Sequence, residues 1–125
     1  MSSNHPQRVV IVGASDQPER YAHKAMRSLL QPGHEVVLGH PRLKEIEGRP
    51  VLAEVAQVTG PVDTVTLYVG PAISAGLADS LLAMKPGRVL FNPDAENPDL
   101  AARLQAAGIA TEEACTLVLL ATGAF

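Results

Sequence analysis

The sequence has almost no aromatic residues: no tryptophan, two tyrosines and two phenylalanines among 125 residues. An aromatic-centred interior is excluded. The core has to be built from Val, Leu, Ile and Ala, which suits strands buried on both faces beneath helices. Cysteine is scarce as well. Cys115 stands alone, so no intramolecular disulfide can form, and a reducing, cytoplasmic location is expected. No apolar run approaches the ~18 residues of a bilayer span, and the first residues are polar and include Pro6, unlike a signal peptide. No membrane association is expected. A basic surplus is also missing: ten Lys and Arg stand against thirteen Asp and Glu, a formal net charge of −3. Nucleic-acid binders carry the opposite balance, so no nucleic-acid partner is expected. A small anionic ligand needs only a local positive site. The four histidines show no metal-ligand spacing with one another or with Cys115. No metal site is assigned, and His5 and His34 are expected to face solvent.

What is present is an alternation. The length fits one domain spanning 1–125, with residues 1–7 expected as a flexible tail. Residues 8–12 (RVVIV) are a continuous β-branched run ending at Gly13, the pattern of a buried strand. Residues 20–31 carry Ala22, Ala25, Met26, Leu29 and Leu30 at helical spacing before Pro32 and Gly33. Further strands are expected at 35–38, 62–69, 88–91 and 109–112, and further helices at 73–84 and 98–107. Asn97 is placed to cap the last of these, with Pro98 at its first position. Residues 51–58 fit a short strand followed by a helical turn, and the all-apolar stretch 116–121 fits a buried helical turn, with a strand as the alternative. Strands alternating with helices imply an α/β, three-layer Rossmann-like fold: a mainly parallel sheet of ~5 strands with right-handed crossovers. Ligands of such sheets lie at the carboxyl ends of the strands.

The loops at that edge carry the chemistry. Gly13, Ala14 and Ser15 follow the first strand and precede a helix, where small residues let backbone N–H groups approach a phosphate. The loop lacks the G-x-G-x-x-G spacing of dinucleotide folds, and the second strand ends in His40, Pro41 and Arg42 with no carboxylate for a ribose. A guanidinium there suits a phosphate. The pattern points to an adenosine nucleotide with an extra ribose phosphate, either coenzyme A or NADP. Arg20 and Lys24 at the first helix are further phosphate candidates. No acid, base and nucleophile are brought together by any spacing, so no catalytic residue is assigned.

These residues resemble the small CoA-binding proteins, whose fold also carries CoA in the succinyl-CoA synthetase α subunit and in ADP-forming acyl-CoA synthetases. The likeness runs from about Arg8 to Phe125. It rests on Val12-Gly13-Ala14-Ser15, Pro18-Glu19-Arg20, His40-Pro41-Arg42 with Glu45-Ile46-Glu47-Gly48, Phe91-Asn92-Pro93 with Glu96-Asn97-Pro98, Ala114-Cys115-Thr116-Leu117-Val118, and Thr122-Gly123-Ala124-Phe125. The resemblance implies that Gly13, Ala14 and Ser15 hold the diphosphate. It implies that Pro41 and Arg42 meet the adenosine and its 3′-phosphate, and that Val69 and Pro71 pack on the adenine or the pantetheine arm. Asn92, Pro93 and the Cys115 region would line the thiol channel, where a mixed disulfide between Cys115 and CoA is conceivable chemistry. Asp94 stands where the family often shows glycine, and His40 where it often has asparagine; His40 is a candidate nucleotide contact. Three functions are carried forward: a CoA or acyl-CoA carrier, sensor or regulatory module; an NADP-binding oxidoreductase or redox sensor; and a Rossmann-like protein-interaction module. A homodimer or a partner enzyme is left open.

Overall fold

The computed structural model describes residues 5–125. Its centre is β1 (Arg8–Val12), in which Val9, Val10, Ile11 and Val12 are all buried. Strand β1 pairs in parallel with β2 (Glu35–Gly39) on one side and β5 (Thr64–Leu67) on the other. Beyond β5 come β6 (Arg88–Phe91) and β7 (Ala110–Glu113), also parallel. Beyond β2 comes β4 (Arg49–Leu52), parallel to β2 and antiparallel to β3 (Glu45–Ile46). The order is β3-β4-β2-β1-β5-β6-β7.

The sheet thus has seven strands where the pattern suggested about five. The addition is the β3–β4 hairpin. Its two-residue loop, Glu47-Gly48, has φ of 51° and 79°, the doubly positive backbone of a tight hairpin turn. The strand and helical turn expected within 51–58 are β4, shifted earlier, and a 3₁₀ turn at Val55–Gln57.

Side-chain alternation along β1 divides the core into two layers. Val9 and Ile11 pack, with Leu38, under α1 (Tyr21–Leu30), through Ala22, Met26 and Leu29; α5 (Thr116–Ala121) lies beside α1. Val10 and Val12 join Val65, Leu67, Val89 and Phe91 under α3 (Ala78–Met84) and α4 (Pro98–Ala106). Helix α4 begins as the sequence suggests: Asn97 Oδ1 accepts the Leu100 N–H at 3.1 Å, and Pro98 follows.

Two helices depart from expectation. The helix expected over 73–84 is broken into α2 (Pro71–Ser74), a 3₁₀ turn (Ala75–Leu77) and α3. Ser74, not Ile73, faces inward, because its hydroxyl accepts the Asn97 Nδ2–H at 2.9 Å; Ile73 is 62% exposed. Gly76, a poor helix former, sits in the break. Helix α5 is helical as expected but not buried all round. Only Thr116 is fully enclosed, and Val118 is 57% exposed.

The amino-terminal edge of the sheet is closed by its own side chains. Arg88 donates to Thr64 Oγ1 at 2.9 Å and to the Phe125 carbonyl at 2.8 Å, and its guanidinium lies 4.6 Å from the Phe125 ring centre. His34 is half-buried rather than solvent-facing; its Nδ1 accepts the Gln7 N–H at 2.9 Å. The expected tail therefore ends in a fixed residue at Gln7, and its residues 1–4 lie outside the described ones. Among the described residues, no helix is long and apolar enough to cross a membrane.

Candidate ligand site

A cavity of about 930 Å³ opens at the carboxyl edge of the sheet, between the ends of β1, β2 and β5. Nine of the thirteen residues expected at a ligand line it: Gly13, Ala14, Ser15, Arg20, His40, Pro41, Arg42, Val69 and Pro93. Lys24, whose ammonium lies 5.5 Å from the Tyr21 ring centre, Pro71, Asn92 and Cys115 do not. Each has a different position in the fold. Pro71 is the first residue of α2, and Cys115 is the half-buried residue preceding α5. Asn92 is 2% exposed and fully engaged: its Nδ2 donates to Thr66 Oγ1 at 2.7 Å and to the Leu67 carbonyl at 2.9 Å, and its Oδ1 accepts the Thr116 N–H at 2.9 Å. The Thr66 and Thr116 hydroxyls complete this buried network at 2.7 Å.

The first loop works differently from its expected role. The N–H groups of Gly13 and Ala14 both donate to the Gly39 carbonyl, each at 3.0 Å. The parallel register that sets Val12 against Gly39 puts that carbonyl under the turn. Those two donors are therefore taken up by the protein. Gly13 is required by shape instead. It has a φ of +89°, and a Cβ there would stand 2.9 Å from Val69 Cγ1 and 3.2 Å from the Tyr68 carbonyl carbon. Ser15 Oγ accepts the Gln17 N–H at 3.1 Å, leaving its O–H free to donate outward. The anion-friendly feature is the start of α1. No side chain caps it, and the lining includes Arg20, Tyr21 and Ala22. The His23 N–H already donates to the Arg20 carbonyl at 3.1 Å, so the donors left at the helix start are those of Tyr21 and Ala22, which have no intrahelical acceptor and carry the positive end of the dipole.

The second loop leaves β2 at His40. Its backbone N–H donates to the Leu52 carbonyl at 3.0 Å, and its Nδ1 accepts the N–H groups of Arg42 at 3.0 Å and Leu43 at 3.1 Å. Arg42 is exposed and forms no ion pair among the described residues. It borders both the main cavity and an adjoining one of about 390 Å³ that Lys44 also lines.

The wall residues the sequence pointed to least are Tyr68, Leu77 and the stretch Ala53–Ala56. The ambiguity of residues 51–58 was the only signal for the last of these. Tyr68 lines the cavity, while its buried hydroxyl lies beside Thr66 and Thr116 without a well-formed hydrogen bond among the described residues. Burial raises the pKa of that phenol. In charge, Asp16, Glu54 and Asp94 stand against Arg20 and Arg42 around the cavity. Among the described residues, no group of three His, Cys, Asp or Glu side chains could hold a metal ion.

Residues 7–121 match the family described as the CoA binding domain. The chain belongs to this CoA-binding domain family. It is 37% identical to an uncharacterized protein of known crystal structure, with a TM-score of 0.92 over 98% of this chain and 100% of the other. It is 27% identical over 75 residues to the uncharacterized protein YneT of Bacillus subtilis; that match covers 60% of this chain and only 56% of the relative. In fold alone, it resembles part of the dinucleotide forming acetyl-coenzyme A synthetase 1 of Ca. Korarchaeum cryptofilum, with 20% identity and a TM-score of 0.72 over 86% of this chain and 25% of that one.

The cavity brings together an uncapped helix start beside Arg20, an Arg42 that forms no ion pair among the described residues, and apolar walls at Val69 and Leu77. Asp94 has a φ of 75°, in the left-handed region that glycine enters without strain. It also brings a carboxylate to the cavity wall.

Proposed function

We propose that the cavity binds coenzyme A or an acyl-CoA, and that the chain is a binding module (a carrier, sensor or regulatory unit) rather than an enzyme. The observation that carries this reading is Arg42, an exposed guanidinium in the loop after β2 that forms no ion pair among the described residues. A ribose phosphate is the group that a bidentate donor there would recognise. In this reading the diphosphate lies against the first turn of α1, with Arg20 and the Ser15 hydroxyl as donors. The 3′-phosphate meets Arg42. Val69 and Leu77, with Pro41 and Pro93 at the rim, take the adenine or the pantetheine arm. CoA would supply a thiol, and no residue on the wall is set up to act on it. The one imidazole lining the cavity, His40, has Nδ1 occupied by two backbone N–H groups, so it is poorly placed as a general base.

Calorimetric titration with CoA and with NADP tests the assignment. The expected result is saturable 1:1 binding of CoA and weaker or absent binding of NADP. Tighter binding of NADP would replace this reading with the oxidoreductase one, and binding of neither would favour a protein-interaction role.

A further inference from the structure

The turn after β6 holds a carboxylate in an unusual place. Asn92 is anchored by its three buried hydrogen bonds, and the Ala95 N–H donates to the Asn92 carbonyl at 2.8 Å. Between them stand Pro93 and Asp94, the latter at a φ of 75°. Proline at the second position of a turn and a positive φ at the third are the marks of a type II turn, whose third position ordinarily takes glycine or asparagine. Ala95 is buried as well, so the turn is pinned on both sides. Asp94 is exposed, lines the cavity and forms no ion pair among the described residues. A charged side chain is thus fixed on the wall where the backbone favours an uncharged one. Backbone held in this way beside a cavity points to a role for the side chain.

The cavity is divided by charge along the sheet. The loops after β1 and β2 bring Ser15, Arg20 and Arg42 to it, together with Asp16. The segments after β5 and β6 bring Tyr68, Val69, Ile73, Leu77 and Pro93, and Asp94 is the only charged residue they add among the described ones. In the CoA reading, on which this inference rests, the 3′-phosphate is held after β2 and the diphosphate after β1. The pantetheine arm then runs on past β5 towards β6, the direction set by the strand order. Neighbouring strands lie about 4.8 Å apart, which sets the end of β6 about 10 Å from that of β1, within reach of the arm. We propose that Asp94 is a specificity-determining residue at the acyl end of the site: it admits the free thiol and uncharged acyl groups, and it rejects acyl groups that end in a carboxylate. Two carboxylates on one wall repel, and no cation on the β5–β6 side of the cavity offsets them among the described residues.

The test titrates CoA, propionyl-CoA and malonyl-CoA by calorimetry into the wild type, Asp94→Asn and Asp16→Asn. The two acyl groups differ in a terminal methyl against a terminal carboxylate. Asn suits a left-handed backbone and keeps the shape of Asp without its charge. Asp16 lines the same cavity beside Ser15, so its variant measures the general effect of removing a negative charge. The wild type is expected to bind malonyl-CoA more weakly than propionyl-CoA. Asp94→Asn is expected to shrink that ratio about fivefold, the scale of like charges meeting at a solvated wall. Asp16→Asn is expected to shift all three ligands together and leave the ratio alone. Equal affinities for the two acyl-CoAs in the wild type, an unchanged ratio in Asp94→Asn, or a ratio that falls as far in Asp16→Asn would each overturn the proposal, while CoA binding would still uphold the functional reading. If CoA itself does not bind, that reading fails and the acyl specificity falls with it.

Discussion

The two halves of the sheet's carboxyl edge start from similar material and end differently. On the α5 side of β5 and β6 the edge is sealed: Thr66, Asn92 and Thr116 satisfy one another in a buried network, and Tyr68, Val69, Pro93 and Asp94 just beyond these strands reach the cavity. At β1 and β2 the strand ends stay open: Ser15, Arg20 and Arg42 line a cavity, and α1 begins without a side-chain cap. Polar residues at a strand end do not by themselves make a site. What separates the halves is whether a helix lands on them. Helix α5 starts on Asn92, whereas α1 starts only after the eight-residue loop 13–20 that follows its strand, and leaves room for a guest.

The largest expected effect comes from unsealing the closed half. Asn92→Leu removes three hydrogen bonds and strands the Thr116 N–H, so it should lower unfolding free energy by about 3 kcal/mol in urea titrations. A loss no larger than that of a surface substitution would mean that the network is not what closes this half. Gly13→Ala attacks the open half. A left-handed φ combined with a 2.9 Å approach to Val69 should cost about 2 kcal/mol, and it should weaken ligand binding as Val69 and Tyr68 shift. Tyr68→Phe removes a buried hydroxyl that has no well-formed hydrogen bond among the described residues; it should leave stability unchanged or raise it by up to about 1 kcal/mol. A clear loss would show that the hydroxyl is satisfied in solution.

The smallest effect is electrostatic and lies on the hairpin beside the open half. The hydrogen bond from Arg27, helped by the nearby His23, holds the Glu47 carboxyl below its usual range. A depressed carboxylate contributes stability that is present above its unfolded pKa and lost as pH falls through its lower folded value. The acid limb of the wild-type stability curve should therefore be steeper than that of Glu47→Gln below about pH 4.5. Because the pair is exposed, the difference should shrink in high salt.

How far these contrasts could be read beforehand depended on the kind of information each needs. The three-layer architecture was legible because unbroken apolar runs such as 8–12 alternate with helical spacing and Gly or Pro stops. Arg42 and the 13–15 loop were legible as cavity residues because position after a strand is a sequence property. Three things were not. The occupation of the Gly13 and Ala14 N–H groups depends on the register of β1 against β2. The burial of Asn92 depends on side-chain parity along β6: Val89 and Phe91 face α3 and α4, so Asn92 turns to the α5 side. The β3–β4 hairpin is too short, and too interrupted by charge and by Pro50, to show a period.

The most direct measurement is a thermodynamic cycle between Arg42 and the ribose phosphate. CoA and 3′-dephospho-CoA are titrated into wild type and Arg42→Ala. Arg42 is exposed and free of ion pairs among the described residues, so the variant should keep the wild-type melting temperature. A charge-assisted phosphate contact is worth ~1.5–3 kcal/mol, or roughly 10- to 150-fold in affinity. Losing the phosphate or the guanidinium should each weaken binding by that much, and losing both should weaken it no further. If the two losses instead add in full, or if dephosphorylation changes nothing, then Arg42 does not hold the 3′-phosphate and the open half of the edge is not the site described.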